Sequence, residues 1–104
     1  MLTETEIDAL VRRIVARMQP QKVILFGSYV KGRATLKSDL DIFVIQETVL
    51  PPIKRADVLK HLFSNALIPI DIHIYTPEEV EEYGEEPYSF VNSVLKSGKT
   101  VYEK

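Results

Sequence analysis

Hydrophobic residues recur at helical spacing near the start of the chain. The apolar positions are Ile7, Leu10, Val11, Ile14, Val15 and Met18. Residues at this spacing share one face of an α-helix. Thr3 and Glu6 form a capping-box pattern that begins a helix, and Pro20 ends it. The pattern therefore predicts an amphipathic first helix with one buried face.

Three short apolar runs farther along the chain predict β-strands. They extend from Lys22 to Phe26, from Leu40 to Ile45 and from Ile70 to Tyr75. The first run is almost entirely apolar, as in a strand that is buried on both faces. The third run alternates, because isoleucines occupy one face while Asp71, His73 and Tyr75 occupy the other.

The segments between and after these runs carry helical patterns. A short helix is predicted from Ser28 to Gly32, and a longer one begins at Pro51-Pro52. The apolar face of the longer helix consists of Ala56, Leu59, Leu62, Phe63, Ala66 and Leu67. An acidic helix follows a capping signature at Thr76 and extends to about Tyr83.

The end of the chain predicts one more helix, from Tyr88 to Lys96 with Gly98 as its C-cap. The side chains expected to point inward are Phe90, Val91, Val94 and Leu95. Thr100 to Tyr102 forms either a closing strand or a tail. This order of elements equally suggests a doubly wound α/β fold. The Ser28–Gly32 connection argues against that fold, since parallel strands need a crossover of about a dozen residues or more.

Length and composition narrow the class of protein. With 104 residues, the chain is expected to form a single domain over 1–104. No apolar run reaches the roughly 20 residues that a membrane span needs, and the acidic N-terminus does not resemble a signal peptide. The absence of cysteine excludes disulfides and thiolate metal sites, so we expect a cytoplasmic protein with no membrane contact. A net charge of −2 makes direct DNA binding an unlikely role, because that role needs a basic stripe.

The residues that suggest chemistry lie between the first two strands. Gly27-Ser28 directly follows the first strand, and Ser38-Asp39-Leu40-Asp41 opens the second. Asp39 and Asp41 are two residues apart, so both project from the same face of a strand. Two adjacent carboxylates favour a hard divalent cation such as Mg²⁺ between them. Gly27-Ser28 offers backbone N–H groups and a hydroxyl to an anion, and together these groups suggest phosphoryl or nucleotidyl transfer.

This motif resembles the signature of the DNA polymerase β-like nucleotidyltransferases, in which Gly-Ser is followed after ten residues by Asp-x-Asp. The resemblance is strongest to the minimal nucleotidyltransferase (MNT) family. The matching positions are Gly27, Ser28, Gly32, Ala34, Ser38, Asp39 and Asp41. Val30 and Lys31 replace the alanine and arginine that this family usually has. A P-loop also has glycines at the spacing of Gly27 and Gly32. Here Arg33-Ala34 replaces the Lys-Ser/Thr of a P-loop, and we therefore reject the P-loop interpretation.

The resemblance implies an α+β fold, the polymerase β-like palm, in which about three main strands form a small mixed sheet with helices packed on it. It implies that Asp39, Asp41 and Asp71 are catalytic and hold two Mg²⁺ ions. Asp71 is expected to be buried, to complete one metal site and to help deprotonate the acceptor hydroxyl. Gly27 and Ser28 would hold the β- and γ-phosphates of ATP.

Further residues around this motif have predicted roles. Lys31, Arg33 and Lys37 flank the phosphate cradle, so one of them is expected to contact the triphosphate, and Ser38 is assigned to the nucleotide site with Lys31 and Arg33. His73 shares a face with Asp71 but is read as a structural residue. The acidic run from Glu78 to Glu86 is read as a solvated face, with docking to a basic partner as its alternative.

The implied reaction transfers a nucleoside monophosphate, AMP from ATP, to an acceptor hydroxyl. In the MNT family, stand-alone chains act as antitoxins of HEPN-domain toxins, which makes a toxin tyrosine the expected acceptor and a small helical HEPN protein the expected partner. A homo-oligomer is also compatible with the sequence. Two alternatives are a non-catalytic antitoxin that acts by contact, and a small-molecule nucleotidyltransferase with a separate substrate-binding subunit.

Overall fold

A four-stranded mixed sheet lies at the centre of the computed structural model, which describes residues 1–64, 66 and 68–104. In chain order the elements are helix α1 (Glu4–Met18), strand β1 (Lys22–Phe26), strand β2 (Leu40–Ile45), helix α2 (Pro52–Arg55), a 3-10 helix (Ala56–Leu62), strand β3 (Ile70–Tyr75), helix α3 (Pro77–Gly84), helix α4 (Phe90–Ser97) and strand β4 (Lys99–Glu103). The strands lie in the order β3-β2-β1-β4. Strand β1 is antiparallel to β2 and β4, whereas β2 and β3 are parallel. The α+β prediction is confirmed.

Strand β4 adds a fourth member to a sheet that was predicted to have about three. The predicted bounds of β1, β2 and β3 are confirmed. The last residues of the chain pair with β1, from Lys22 opposite Glu103 to Leu25 opposite Lys99, with an irregularity between Val23 and Ile24. The final segment is therefore a strand and not a tail.

Helices cover both faces of the sheet. Helix α1 begins with the predicted capping box, in which Thr3 N–H donates to Glu6 Oε1 at 2.9 Å and Glu6 N–H donates to Thr3 Oγ1 at 3.2 Å. Its buried stripe packs with the 3-10 helix against one face, in a core of Ile7, Val11, Ile14, Val23, Leu25, Leu40, Ile42, Val44, Leu59, Ile68 and Ile74. Helix α4 covers the other face, in a smaller core of Ile24, Phe43, Ile45, Val91 and Val94. None of the helices in the described part of the chain has the length and apolarity that a membrane crossing would need.

The predicted helix from Ser28 to Gly32 is wrong, because this segment is a series of turns. Val30 N–H and Lys31 N–H both donate to Gly27 O at 3.2 Å, and Arg33 N–H donates to Ser28 O at 2.9 Å. Gly27 and Gly32 have φ angles of 81° and 70°, in the left-handed region. The first turn of a helix is costly to form, and the four residues between these two glycines are too few to extend one.

The segment from Pro52 also differs from the single helix that was predicted. One turn of α-helix is followed by the 3-10 helix, which ends at Leu62. A 3-10 helix has 3.0 residues per turn, so Ala56, Leu59 and Leu62 fall on one line, and Leu59 is fully buried. Phe63 and Ala66 lie beyond the helix, and the predicted contribution of Leu67 lies outside the described residues.

Helices α3 and α4 follow the predicted pattern with one shift. Thr76 and Glu79 form the capping box of α3. Helix α4 begins at Phe90 and not at Tyr88, because Ser89 is its N-cap and accepts a hydrogen bond from Asn92 N–H at 3.0 Å. Gly98 is the C-cap, as predicted. Phe90 and Leu95 were expected inside but are 41% and 42% exposed.

A buried arginine joins α2 to β3 and α3. Arg55 is 7% exposed, and its Nε donates to Leu50 O at 2.9 Å. Its Nη1 donates to Ile74 O at 3.2 Å and to Glu79 Oε1 at 2.5 Å. The hydrogen bond from Arg55 is the main reason why the pKa of Glu79 lies below its usual value. The sequence did not predict this pair, because an arginine in a mostly polar segment is normally exposed.

Replacing this arginine should destabilise the fold strongly. Arg55→Met leaves the Ile74 carbonyl and the Glu79 carboxylate without their partner, which costs about 3 kcal/mol of unfolding free energy. Urea denaturation followed by circular dichroism measures the change. Lys54→Met, at the exposed neighbouring position, is the control and should change stability by less than about 0.5 kcal/mol. Equal stabilities of the two variants would contradict the role assigned to Arg55.

Candidate active site

Two of the predicted carboxylates lie side by side at one end of the sheet. Asp41 in β2 and Asp71 in β3 are register partners in the parallel pair. Their neighbours along each strand, a leucine and isoleucines, point into the core on the α1 side of the sheet. Because successive side chains alternate between the two faces, both aspartates lie on the face that α4 covers. Asp39 lies just before the first residue of β2, two residues from Asp41. The local sequence thus brings Asp39 to the same end of the sheet as the other two.

The carboxylates act on one another electrostatically. Burial raises the pKa of Asp41 above its usual value, and the negative charges of Asp71 and Asp39 raise it further, while His73 acts in the opposite direction. Negative charges that raise a pKa in this way favour a bound proton or a bound cation. A divalent cation beside Asp41 would therefore relieve a repulsion that the fold itself creates.

The glycine of the motif is in direct contact with this group. Phe26 is the register partner of Asp41, so Gly27 follows immediately at the end of β1. A methyl group at Gly27 would overlap Asp41 Oδ2, and the φ angle of 81° also disfavours any larger residue. Only glycine leaves the space between the first turn and the carboxylate open. Carboxylate oxygens are the ligands that Mg²⁺ prefers, so Asp41 and its register partner Asp71 are the groups here that could bind such an ion.

The other predicted nucleotide-binding residues lie in the loop between β1 and β2. Ser28 is half-buried at the first turn, whereas Lys31 and Arg33 are exposed. The Ser38 hydroxyl accepts a hydrogen bond from Thr35 N–H at 2.8 Å. Ser38 therefore shapes the loop directly before Asp39, and its contact with a nucleotide stays a prediction.

The environment of Asp71 differs from the prediction. Its side chain is 60% exposed, although the prediction placed it in a mostly buried strand. The reason is the position of β3 at the edge of the sheet, where only β2 pairs with it. Over residues 1–64, 66 and 68–104, no three His, Cys, Asp or Glu side chains gather closely enough to hold a metal ion. The metal-binding set of three aspartates therefore stays a prediction.

Comparison with known proteins identifies the class to which this geometry belongs. The family model described as "Polymerase beta, Nucleotidyltransferase" matches residues 10–104. The chain belongs to this nucleotidyltransferase family. The predicted resemblance and the assignment as a nucleotidyltransferase enzyme are thereby confirmed.

Two similar proteins are named as candidate protein adenylyltransferases. One, from Methanocaldococcus jannaschii, is 31% identical over 84 residues, which cover 79% of this chain and 78% of that protein. The other, MntA from Haemophilus influenzae, is 40% identical over 62 residues, which cover 59% of this chain and 54% of that protein.

Solved structures with the same fold come from toxin–antitoxin systems. A toxin–antitoxin structure with AMP-PNP superposes with a TM-score of 0.63 at 27% identity, covering 99% of this chain and 75% of that one. A mutant form of an MntA toxin–antitoxin complex superposes with a TM-score of 0.57 at 25% identity, covering 100% of this chain and 75% of that one.

Aromatic rings adjoin the carboxylates of this nucleotidyltransferase. His73 Nε2 lies 3.8 Å from Asp71 Oδ2. The His73 ring packs on Phe90 at a centroid distance of 4.9 Å and on Phe26 at 5.7 Å. The strand alternation predicted that His73 shares a face with Asp71, but no sequence signal predicted that Phe90 would reach it from α4.

Because the pKa of Asp41 is raised, we predict that the stability of the metal-free nucleotidyltransferase depends on pH. Because the folded pKa lies above the unfolded value, the folded chain binds the proton more tightly, and stability falls as pH rises through the interval between the two. Asp41→Asn cannot ionise, so it should melt above the wild type at pH 7 in EDTA. This advantage should shrink as the pH is lowered towards 3.8, and Mg²⁺ should also reduce it.

Thermal melts at several pH values, with and without EDTA, measure this effect. Glu86→Gln removes one negative charge from an exposed position far along the chain and serves as the control. An Asp41→Asn protein that melts at or below the wild-type temperature at pH 7 without metal would contradict the electrostatic account.

Proposed function

We propose that this chain transfers AMP from ATP to the hydroxyl of a tyrosine in a partner protein, a small helical HEPN-domain toxin, and thereby acts as its antitoxin. The observation that carries the proposal is the register of Asp41 and Asp71 beside the open space at Gly27. The two relatives named as candidate protein adenylyltransferases support the reaction class. The toxin–antitoxin structures, one with AMP-PNP, support the partner and the nucleotide.

The three aspartates supply the metal ligands in this proposal. Asp39 and Asp41 would hold two Mg²⁺ ions, and Asp71 would complete one of the two sites. When bound, such ions neutralise charge on the phosphates and stabilise the charge that develops during transfer. Asp41 is the residue best placed to be shared, because it interacts with both other carboxylates.

Different residues of the chain have different roles in the proposed transfer. The acceptor oxygen attacks the α-phosphorus, a new oxygen–phosphorus bond forms, and the bond from the α-phosphorus to the bridging oxygen breaks to release pyrophosphate. The exposed Asp71 carboxylate takes the hydroxyl proton. The backbone of Gly27 and Ser28 and the Ser28 hydroxyl hold the β- and γ-phosphates, with Lys31 or Arg33 adding positive charge.

The chain offers a partner protein two exposed charged surfaces. Exposed arginines Arg12, Arg13 and Arg17 lie on α1, and the acidic run on and after α3 is also exposed apart from Glu79. These two surfaces have opposite charge, so each suits a different side of a partner. Assembly of the chain with copies of itself and its place in the cytoplasm stay predictions.

Removing one metal ligand should abolish transfer without preventing docking. Asp41→Asn is expected to lower AMP transfer by more than about a thousandfold, because it removes both a ligand and a negative charge. The measurement is mass spectrometry of the co-purified partner before and after addition of ATP and Mg²⁺. Glu47→Gln, at an exposed position outside both charged surfaces, should transfer normally. If the wild-type chain inhibits its partner but never leaves a nucleotide on it, an antitoxin that acts by contact alone replaces this proposal.

The role of Asp71 can be separated from nucleotide binding. Asp71→Asn should lower turnover more than it weakens ATP binding, because its carboxylate acts on the acceptor. Ser28→Ala should instead weaken ATP binding about 10- to 150-fold, since a hydrogen bond to a charged group contributes roughly 1.5–3 kcal/mol. Calorimetric titration with ATP and Mg²⁺, together with single-turnover rates, distinguishes the two effects. Equal turnover by Asp71→Asn and wild type across pH would remove Asp71 from the mechanism.

A further inference from the structure

The carboxylate group is bordered by an aromatic surface, which consists of Phe26 in β1, His73 in β3 and Phe90 in α4. Each ring contacts the other two: His73 packs on Phe26 and on Phe90, and Phe26 packs edge to face on Phe90 at 5.4 Å. The three rings therefore come from three different elements and fix one another. Such contacts limit the motion of each ring.

Two rings of this aromatic surface are partly open to solvent. Phe90 is 41% exposed, and the His73 side chain is 35% exposed. A single exposed ring is ordinary on a protein surface. Rings that contact one another and also reach Asp71 through His73 form a continuous apolar area at the edge of the site.

The order of the groups across the site indicates that the acceptor approaches from the side of the aromatic surface. Gly27, at the proposed phosphate cradle, contacts Asp41. His73 contacts Asp71, the carboxylate proposed to take the acceptor proton. In an in-line displacement the attacking and leaving oxygens lie on opposite sides of the phosphorus. If the pyrophosphate lies at Gly27, the acceptor approaches from the Asp71 side, where it meets His73 and Phe90.

We propose that the aromatic surface binds the ring of the acceptor and selects a phenolic hydroxyl over an aliphatic one. This inference rests on the proposed function, since it names the residues that recognise the acceptor. An aromatic ring packs favourably on other rings at centroid distances of about 4.5–7 Å. A serine or threonine side chain has no ring, so it gains none of this contact.

The NMR signals of the two histidines can report on binding of an acceptor. It contains two histidines, His73 in the aromatic surface and His61 on the exposed side of the 3-10 helix. The ring-proton NMR signals of both are followed while N-acetyl-L-tyrosinamide is added to the chain with Mg²⁺ and α,β-methylene-ATP. The tyrosine amide should shift the His73 signal and leave the His61 signal in place. N-acetyl-L-serinamide at the same concentrations should shift neither.

Two substitutions on α4 give a matched pair. Phe90→Leu should weaken binding of the tyrosine amide about 2- to 12-fold, the range for one aromatic pair. Leu95→Ala, at a position of almost equal exposure on the same helix, should bind it normally. Both variants should bind the nucleotide analogue like the wild type, because neither side chain carries a group that binds phosphate or metal. His73→Phe should keep the preference for tyrosine, since it keeps a ring at this position.

Three outcomes would overturn the proposal. Equal His73 shifts with the tyrosine and serine amides would remove the selectivity, and wild-type affinity in Phe90→Leu would remove the contact. A Phe90→Leu protein that binds the nucleotide analogue weakly but inorganic tripolyphosphate normally would assign the surface to the adenine ring instead. A wild-type chain that fails to bind the analogue with Mg²⁺ would contradict the proposed function itself, which is a separate result.

Discussion

The parallel pairing of β2 with β3 is the constraint on which the site depends. Its register places Asp41 opposite Asp71, and a shift of one residue would turn one of the two carboxylates to the other face of the sheet. The same register buries the isoleucines of β3 against the core on α1 and the 3-10 helix. Burial of the apolar face and pairing of the carboxylates are therefore set by one arrangement.

This arrangement carries an electrostatic penalty that other parts of the fold offset. The raised pKa of Asp41 shows that its charge is unfavourable in the folded chain. Strand β3 lies at the sheet edge, where Arg55 donates to its Ile74 carbonyl and to Glu79 at the start of α3. The buried arginine thus holds the edge strand that carries Asp71.

Much of the fold and the centre of the site could be predicted from the sequence. Periodicity gave the bounds of β1, β2 and β3, because buried strands and alternating strands have distinct patterns. The spacing from Gly27 to Asp41 predicted the family, since several fixed positions agree in one segment. The predicted Ser28–Gly32 helix failed because positive φ angles at two glycines are not visible in a hydrophobic pattern.

The remaining features depend on tertiary contacts that local patterns do not contain. The exposure of Asp71 follows from the strand order, which places β3 at an edge. The burial of Arg55 follows from the packing of α2 against β3 and α3. The approach of Phe90 to His73 depends on how α4 crosses the sheet, so it could be found only in the folded chain.

We propose that the aspartates at this end of the sheet form a two-metal nucleotide site. Electron paramagnetic resonance of Mn²⁺, titrated into the chain with saturating α,β-methylene-ATP, counts the bound ions directly. We expect two ions per chain, magnetically coupled because such ions lie about 4 Å apart, and one ion or fewer in the Asp41→Asn protein. A single uncoupled ion that is unchanged by Asp41→Asn would contradict the account.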